Sequence, residues 1–222
     1  MMAINAQPEP EKITIGLIGP CGSGKSTLAI AFSALPDVDV ALEIPPKALE
    51  SNPPYTSLNV MALQREFLQT RLRQATAARS KILVLDRTVE EDREVFLRLH
   101  YELGGITRAE LAQLDEFAEL TGALIGTPDA IVILKANPET LRLRIGNRAR
   151  PDWIVASFDR QLSLYATLVA KTKGSVLEID TTALSASTLR QIAPWIATTA
   201  PLAAMPTDPL ESTNSELSWN VR

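Results

Sequence analysis

Near the N-terminus, Gly19, Pro20, Cys21, Gly22, Ser23, Gly24, Lys25, Ser26 and Thr27 follow one another without interruption. Their spacing is G-x-x-x-x-G-K-[ST], in which the glycines let the backbone curl so that successive N–H groups point at one anion. Lys25 adds a full positive charge suited to the β- and γ-phosphates of ATP, and the Ser26 hydroxyl is placed to ligate Mg²⁺. A glycine-rich turn without a ligand is the plainer reading. Context argues against it: an apolar strand over residues 13–18 precedes the run, and a helix whose N-terminus attracts anions follows it. Cys21 reads as a small residue filling a non-glycine slot; a thiol activated by the helix terminus is the alternative.

Other chemistry-bearing residues fall where strands should end. Asp86 closes the apolar run 81–86, which puts its carboxylate at the carboxyl edge of a sheet, where α/β folds bind ligands. It is the natural Mg²⁺ partner of Ser26. Arg87 follows and has the charge and reach to meet a transferring phosphoryl group, or it serves a capped helix start instead. Glu43 ends the run 38–43 and is the candidate general base for a hydroxyl attacking the γ-phosphate; a solvated strand-end glutamate is the competing reading. Arg142, Arg144, Arg148 and Arg150 crowd one short segment of an otherwise acidic chain. That pattern suits a lid that stabilises transferred charge, or a solvated basic helix face. His100 is the only histidine, and no partner nearby in sequence assigns it a role.

The elements that must position these groups are legible as periodicity. Runs 13–18, 38–43, 81–86, 130–135 and 175–180 read as strands, most of them apolar on consecutive rather than alternate positions, as in a parallel sheet covered on both faces. Helical spacing occupies 25–34, 57–78, 88–103, 107–123, 138–146 and 153–171, with a weaker segment over 187–195. The alternation predicts an α/β P-loop NTPase fold: a five-stranded parallel sheet with helices on both faces and a basic lid segment. Thr107 with Glu110 predicts a capping box, and the prolines of 44–56 predict a loop.

The 222 residues carry a formal net charge of −4, with 45% hydrophobic and 22% charged residues, which suits one globular domain. Its expected limits are 12–197, flanked by a flexible N-terminus over 1–11 and a flexible, Pro-, Thr- and Ser-rich tail over 198–222. The acidic balance gives no field that would hold nucleic acid or an anionic membrane. A single cysteine excludes a disulfide framework, and no apolar run is long enough for a membrane span. The expected compartment is the cytoplasm.

Together the segments resemble the deoxynucleoside kinase family, P-loop enzymes that phosphorylate the 5′-hydroxyl of deoxynucleosides. Glu43-Ile44-Pro45 is similar to the family's base-bearing Glu-Pro segment, Asp86-Arg87-Thr88 to its Asp/Glu-Arg-Ser motif, and 144–150 to its lid. The resemblance implies that Gln64 meets the nucleobase edge, that Phe96 stacks on its face, and that Arg71 and Asp92 read the base. It further implies a purine deoxynucleoside or deoxycytidine as substrate, ATP and Mg²⁺ as cofactors, catalytic roles for Lys25, Glu43, Arg87, Arg148 and Arg150, and a homodimer. The chain departs from the pattern where Ala48 replaces a tryptophan, where Tyr55 is displaced, and where Asp152-Trp153 replaces paired acids. Two other readings stay open: a P-loop kinase acting on a nucleoside monophosphate or another small hydroxyl compound, and a non-catalytic nucleotide-gated binding protein.

Overall fold

The structure, a computed structural model, describes residues 12–43, 57–146, 152–204 and 219–221. Its central strand β1 (Ile13–Ile18) is buried along nearly its whole length. Consecutive apolar residues there need cover on both faces, and two clusters supply it. Ile15 and Leu17 join Leu28, Phe32, Ala193 and Ile196 on one side, while Ile18 joins Val95, Phe96 and Leu164 on the other.

Around β1 lie β2 (Val38–Ala41), β3 (Ile82–Asp86), β4 (Ala130–Lys135) and β5 (Ser175–Asp180), in the order β2-β3-β1-β4-β5 and all parallel. The expected five-stranded parallel sheet is therefore present. A short sixth strand, β6 (Trp219–Val221), pairs antiparallel with β5 and extends that edge. Among the helices, α1 (Lys25–Phe32) and α9 (Ala186–Ala204) cover one face, and α2 (Ser57–Ala77) packs on α5 (Arg108–Ile125) on the other side. Thr107 caps α5 through the expected reciprocal bonds with Glu110. No helix of the described residues is long and apolar enough to cross a membrane.

Three boundaries differ from expectation. Strand β2 stops at Ala41, so Glu43 lies just beyond the ladder rather than at its last rung. The single helix expected over 88–103 is composite: α3 (Val89–Glu91), a π-helical segment Asp92–Leu97, and α4 (Arg98–Glu102). The helix expected over 153–171 divides into α7 (Asp152–Ala156) and α8 (Phe158–Lys171) at Ser157. There the Ser157 hydroxyl donates to the Trp153 carbonyl at 2.6 Å, a local bond that bends helices.

The largest departure concerns the tail expected from residue 198. Helix α9 runs on to Ala204, and β6 lies further still along the chain. Pro194 and Pro201 suggest a break, since proline removes a helical N–H. Packing overrides them: Leu189, Ala193, Ile196, Ala197 and Ala200 recur at helical spacing and are all buried in the main core, while Pro194 faces solvent. Replacing Ala200 by Asp should therefore destabilise the fold by on the order of 2–4 kcal/mol, because a carboxylate would enter an apolar contact. Urea unfolding checks this, and an unchanged midpoint would restore the reading of 198–204 as a tail.

Candidate active site

The loop after β1 is held open by its glycines. Gly22 and Gly24 have φ of 84° and 100°, in the left-handed region that side chains rarely adopt. At Gly19 a Cβ would lie 2.1 Å from the Leu134 carbonyl oxygen, so strand β4 leaves room for nothing larger. Arg144, on α6 (Pro138–Gly146), braces the loop from outside. Its guanidinium donates to the Gly22 carbonyl at 3.3 Å and to the Thr181 carbonyl at 2.7 Å. Gln161 of α8 accepts from the Cys21 N–H at 3.2 Å. Cys21 itself packs against the Leu141, Ile145 and Phe158 cluster, in keeping with its reading as a filler.

Lys25 is buried, and its ammonium donates to the Gly19 carbonyl and sits 3.4 Å from Glu91 Oε1. Asp86 stands opposite Leu17 in the β1–β3 register, at the carboxyl edge of the sheet. It is only 1% exposed, and neither carboxylate oxygen has a hydrogen-bond partner of ordinary geometry. Burial pushes its pKa upward; Lys25 opposes the shift, Glu43 adds to it, and the nearby Ser26 hydroxyl pulls it partly back. Two orphaned anionic oxygens beside Ser26 fit a cation, the arrangement expected of a Mg²⁺ site.

Arg87 is the centre of the site. Its backbone adopts φ 93°, strained for a residue with a side chain, and its N–H bonds the Leu17 carbonyl at 3.2 Å. The buried guanidinium meets Glu43 Oε1 at 2.9 Å, Asp92 Oδ1 at 3.7 Å and Glu91 Oε1 at 3.8 Å. It also lies 3.7 Å above the Phe96 ring centroid, a cation–π contact. Burial works against its charge, but Glu43, Glu91 and Asp92 outweigh burial and hold its pKa above the ordinary arginine value.

Of the residues expected to read a base, Arg71, Asp92 and Phe96 converge on this cluster. Arg71 of α2 is ion-paired with Asp92, the first residue of the π-helical segment. Phe96, from the same segment, meets Tyr165 of α8 edge-on, with centroids 6.5 Å apart. Gln64 Nε2 lies 3.0 Å from His100 Nε2, and both side chains are buried. Arg148 and Arg150, expected to stabilise the charge of the transferred phosphoryl group, lie outside the described residues, as do Ala48 and Tyr55.

Three residues enter the site that sequence reading left without a role. Glu91 is buried, touches Lys25 and Arg87, and accepts a hydrogen bond from the Tyr165 hydroxyl. Burial raises its pKa against the opposing effects of Lys25, Arg87 and Tyr165. Burial, then Glu91, raises the Tyr165 pKa well above the ordinary phenol value. His100, though isolated in sequence, packs against Trp153 at 4.7 Å as well as Gln64. The one available signal was Glu91 at i+4 from Arg87; nothing local pointed to Tyr165 or His100.

The deoxynucleoside kinase family model matches residues 15–181. Among solved structures the chain is similar to deoxyadenosine kinase from M. mycoides with dCMP and a flexible dCDP bound, at 19% identity over 84% of this chain and 99% of that one, with a TM-score of 0.61. The same kinase with bound dCTP gives 19% identity, coverage of 84% and 100%, and a TM-score of 0.61. At that identity the likeness shows a shared fold. No curated protein matches.

His100 gives the site a pH signature. Burial, then Arg87, lowers its pKa from 6.5 to about 4. Between those values the unfolded chain binds more protons than the folded one, so stability contributed by neutral His100 is lost as pH falls through this window. Asp86 and Glu91, whose folded pKa values are raised, act in the opposite sense. The difference between wild type and His100→Gln should isolate the histidine, shrinking by on the order of 3 kcal/mol from pH 7 to pH 4 in denaturant titrations. Parallel curves would show that His100 is not held neutral.

Proposed function

Because the chain belongs to the deoxynucleoside kinase family and is an ATP-dependent kinase of that class, we propose that it transfers the γ-phosphoryl group of ATP to the 5′-hydroxyl of a purine deoxynucleoside or deoxycytidine. The observation that carries this reading is the meeting of Glu43 and Asp92 on one Arg87 guanidinium, which brings a candidate base and a candidate base-reading residue to one centre.

Lys25 leaves the Gly19 carbonyl and Glu91 for the β- and γ-phosphates when nucleotide enters, exchanging one set of oxygen partners for another. Glu43, held beside Arg87, accepts the proton of the 5′-hydroxyl as that oxygen bonds to the γ-phosphorus. The bond between the γ-phosphorus and the β–γ bridging oxygen breaks, and ADP departs. Arg87 faces the phosphoryl group in flight and stabilises its spreading negative charge, a task shared with Arg148 and Arg150. Ser26 and Asp86 would hold Mg²⁺, which when bound neutralises charge on the β- and γ-oxygens. Phe96 offers a ring face, and Gln64, Arg71 and Asp92 offer polar edges, for the nucleobase. The resemblance to the M. mycoides deoxyadenosine kinase with its deoxycytidine nucleotides supports a purine deoxynucleoside or deoxycytidine over thymidine. Leu120 and Leu124, exposed one turn apart on α5, support a homodimer built on that helix.

A turnover panel with ATP, Mg²⁺ and each deoxynucleoside, nucleoside and monophosphate tests the reading directly. Phosphorylation of deoxynucleosides is expected; turnover of monophosphates alone would transfer the assignment to that class. Glu43→Gln should lower kcat by roughly 10²- to 10⁴-fold with little change in ATP affinity by calorimetry, and wild-type turnover would remove Glu43 as the base. Asp92→Ala should relax the ranking of the four deoxynucleosides in kcat/KM, and an unaltered ranking would take Asp92 out of the base pocket.

A further inference from the structure

Gln64 and His100 stand 36 residues apart in sequence, on α2 and α4, yet their Nε2 atoms are 3.0 Å apart in the interior. The Gln64 amide has its nitrogen engaged there, while Gln64 Oε1 is buried without a hydrogen-bond partner. A buried acceptor in a candidate ligand pocket calls for a donor from the ligand. The Trp153 ring lies 4.7 Å from the imidazole at an interplanar angle of 51°, which restricts how His100 turns.

From this juxtaposition we propose that His100 is a specificity-determining residue: it locks the Gln64 amide in one of its two flip orientations, so that Gln64 accepts nucleobases bearing an amino group and rejects those bearing a carbonyl at the same edge. The proposal rests on the deoxynucleoside reading above and narrows it to deoxyadenosine and deoxycytidine.

A glutamine amide reads either kind of base, because a half-turn exchanges its carbonyl and amino groups at little cost. The neighbour of the amide decides whether that symmetry survives. Burial and Arg87 keep His100 uncharged at neutral pH, so its ring has one donor and one acceptor nitrogen. With the proton on Nδ1, Nε2 accepts one N–H from Gln64. The second amide N–H lies on the same side as Oε1, and the pair presents a donor next to an acceptor. Adenine matches with its 6-amino group and N1, and cytosine with its 4-amino group and N3. Guanine and thymine carry a carbonyl beside a ring N–H, so they require the flipped amide. Flipping sets Gln64 Oε1 against the lone pair of His100 Nε2, two acceptors at hydrogen-bond distance away from water. That clash should lower kcat/KM by roughly 10- to 100-fold, the usual range for a buried polar atom left unmatched. Discrimination thus comes from an arranged mismatch rather than from an added attraction.

Two measurements decide the matter. Wild type should favour deoxyadenosine over deoxyguanosine, and deoxycytidine over thymidine, by at least about tenfold in kcat/KM. In His100→Phe both ratios should fall toward one, since the amide is released. His100→Gln, which preserves a polar interior neighbour that can itself flip, should do the same if the phenylalanine variant does not fold. Independently, ¹⁵N spectra of the labelled wild-type protein should show the His100 ring protonated at Nδ1. Ratios near one in wild type, unchanged ratios in a folded variant, or a ring protonated at Nε2 would each overturn the lock. Wild type that turns over no deoxynucleoside would sink the functional reading instead, and the tautomer would then decide the lock alone.

Discussion

A guanidinium without access to water must find its counter-charges within reach, because an unpaired buried ion costs several kcal/mol. Arg87 imposes that condition on the carboxyl edge of the sheet. Glu43 arrives from just beyond β2, Glu91 from α3, and Asp92 from the start of the π-helical segment. Glu43 and the adjacent pair Glu91 and Asp92 come from two separate stretches of chain, so the cluster links the end of β2 to the route taken after β3. The positive φ of Arg87 is tolerable in such a setting, where a backbone bond to Leu17 and four side-chain contacts hold the residue in place.

The charges do not balance within the cluster, and the imbalance is informative. Lys25, Arg71 and Arg87 face Glu43, Asp86, Glu91 and Asp92. Each of these carboxylates except Asp86 forms an ion pair with at least one of the three cations. Asp86 is the one left with both oxygens buried and unmatched, beside the hydroxyl of Ser26. An excess of one carboxylate suits a site that takes in a divalent cation along with a polyanion. Lys25, meanwhile, is kept among oxygen atoms by Gly19 and Glu91, so nucleotide binding replaces its partners rather than creating them.

Asp92 and Phe96 both reach Arg87 from the π-helical segment. In an α-helix residues four apart share a face, and the wider turn of the π-helix shifts that face locally, a device common at functional sites. Here the segment sends Asp92 to Arg71 and Arg87 while Phe96 lies under the guanidinium. Nothing in Asp92-Arg93-Glu94-Val95-Phe96 distinguishes a π-helix from an α-helix by composition, since the wider turn is stabilised by the partners it reaches. The continuation of α9 past Pro194 and Pro201 has the same origin: local breakers lose to a buried apolar stripe that exists only once α1 is in place.

By itself the sequence determined whatever depends on neighbours along the chain. The glycine spacing of the phosphate loop, the consecutive apolar runs of the parallel strands and the Thr107 cap all rest on contacts within a few residues, so they are legible without a fold. The resemblance implied a shared role for Gln64, Arg71, Asp92 and Phe96; in the fold Arg71, Asp92 and Phe96 gather around Arg87, and Gln64 meets His100. Tertiary structure alone decided how those groups face one another: Arg87 against Glu43, Tyr165 against Glu91 across 74 residues, and His100 against Gln64 across 36. The reason is physical. A buried polar group takes the partner that the packed fold brings within about 3 Å, and no periodicity along a chain records which distant residue that will be.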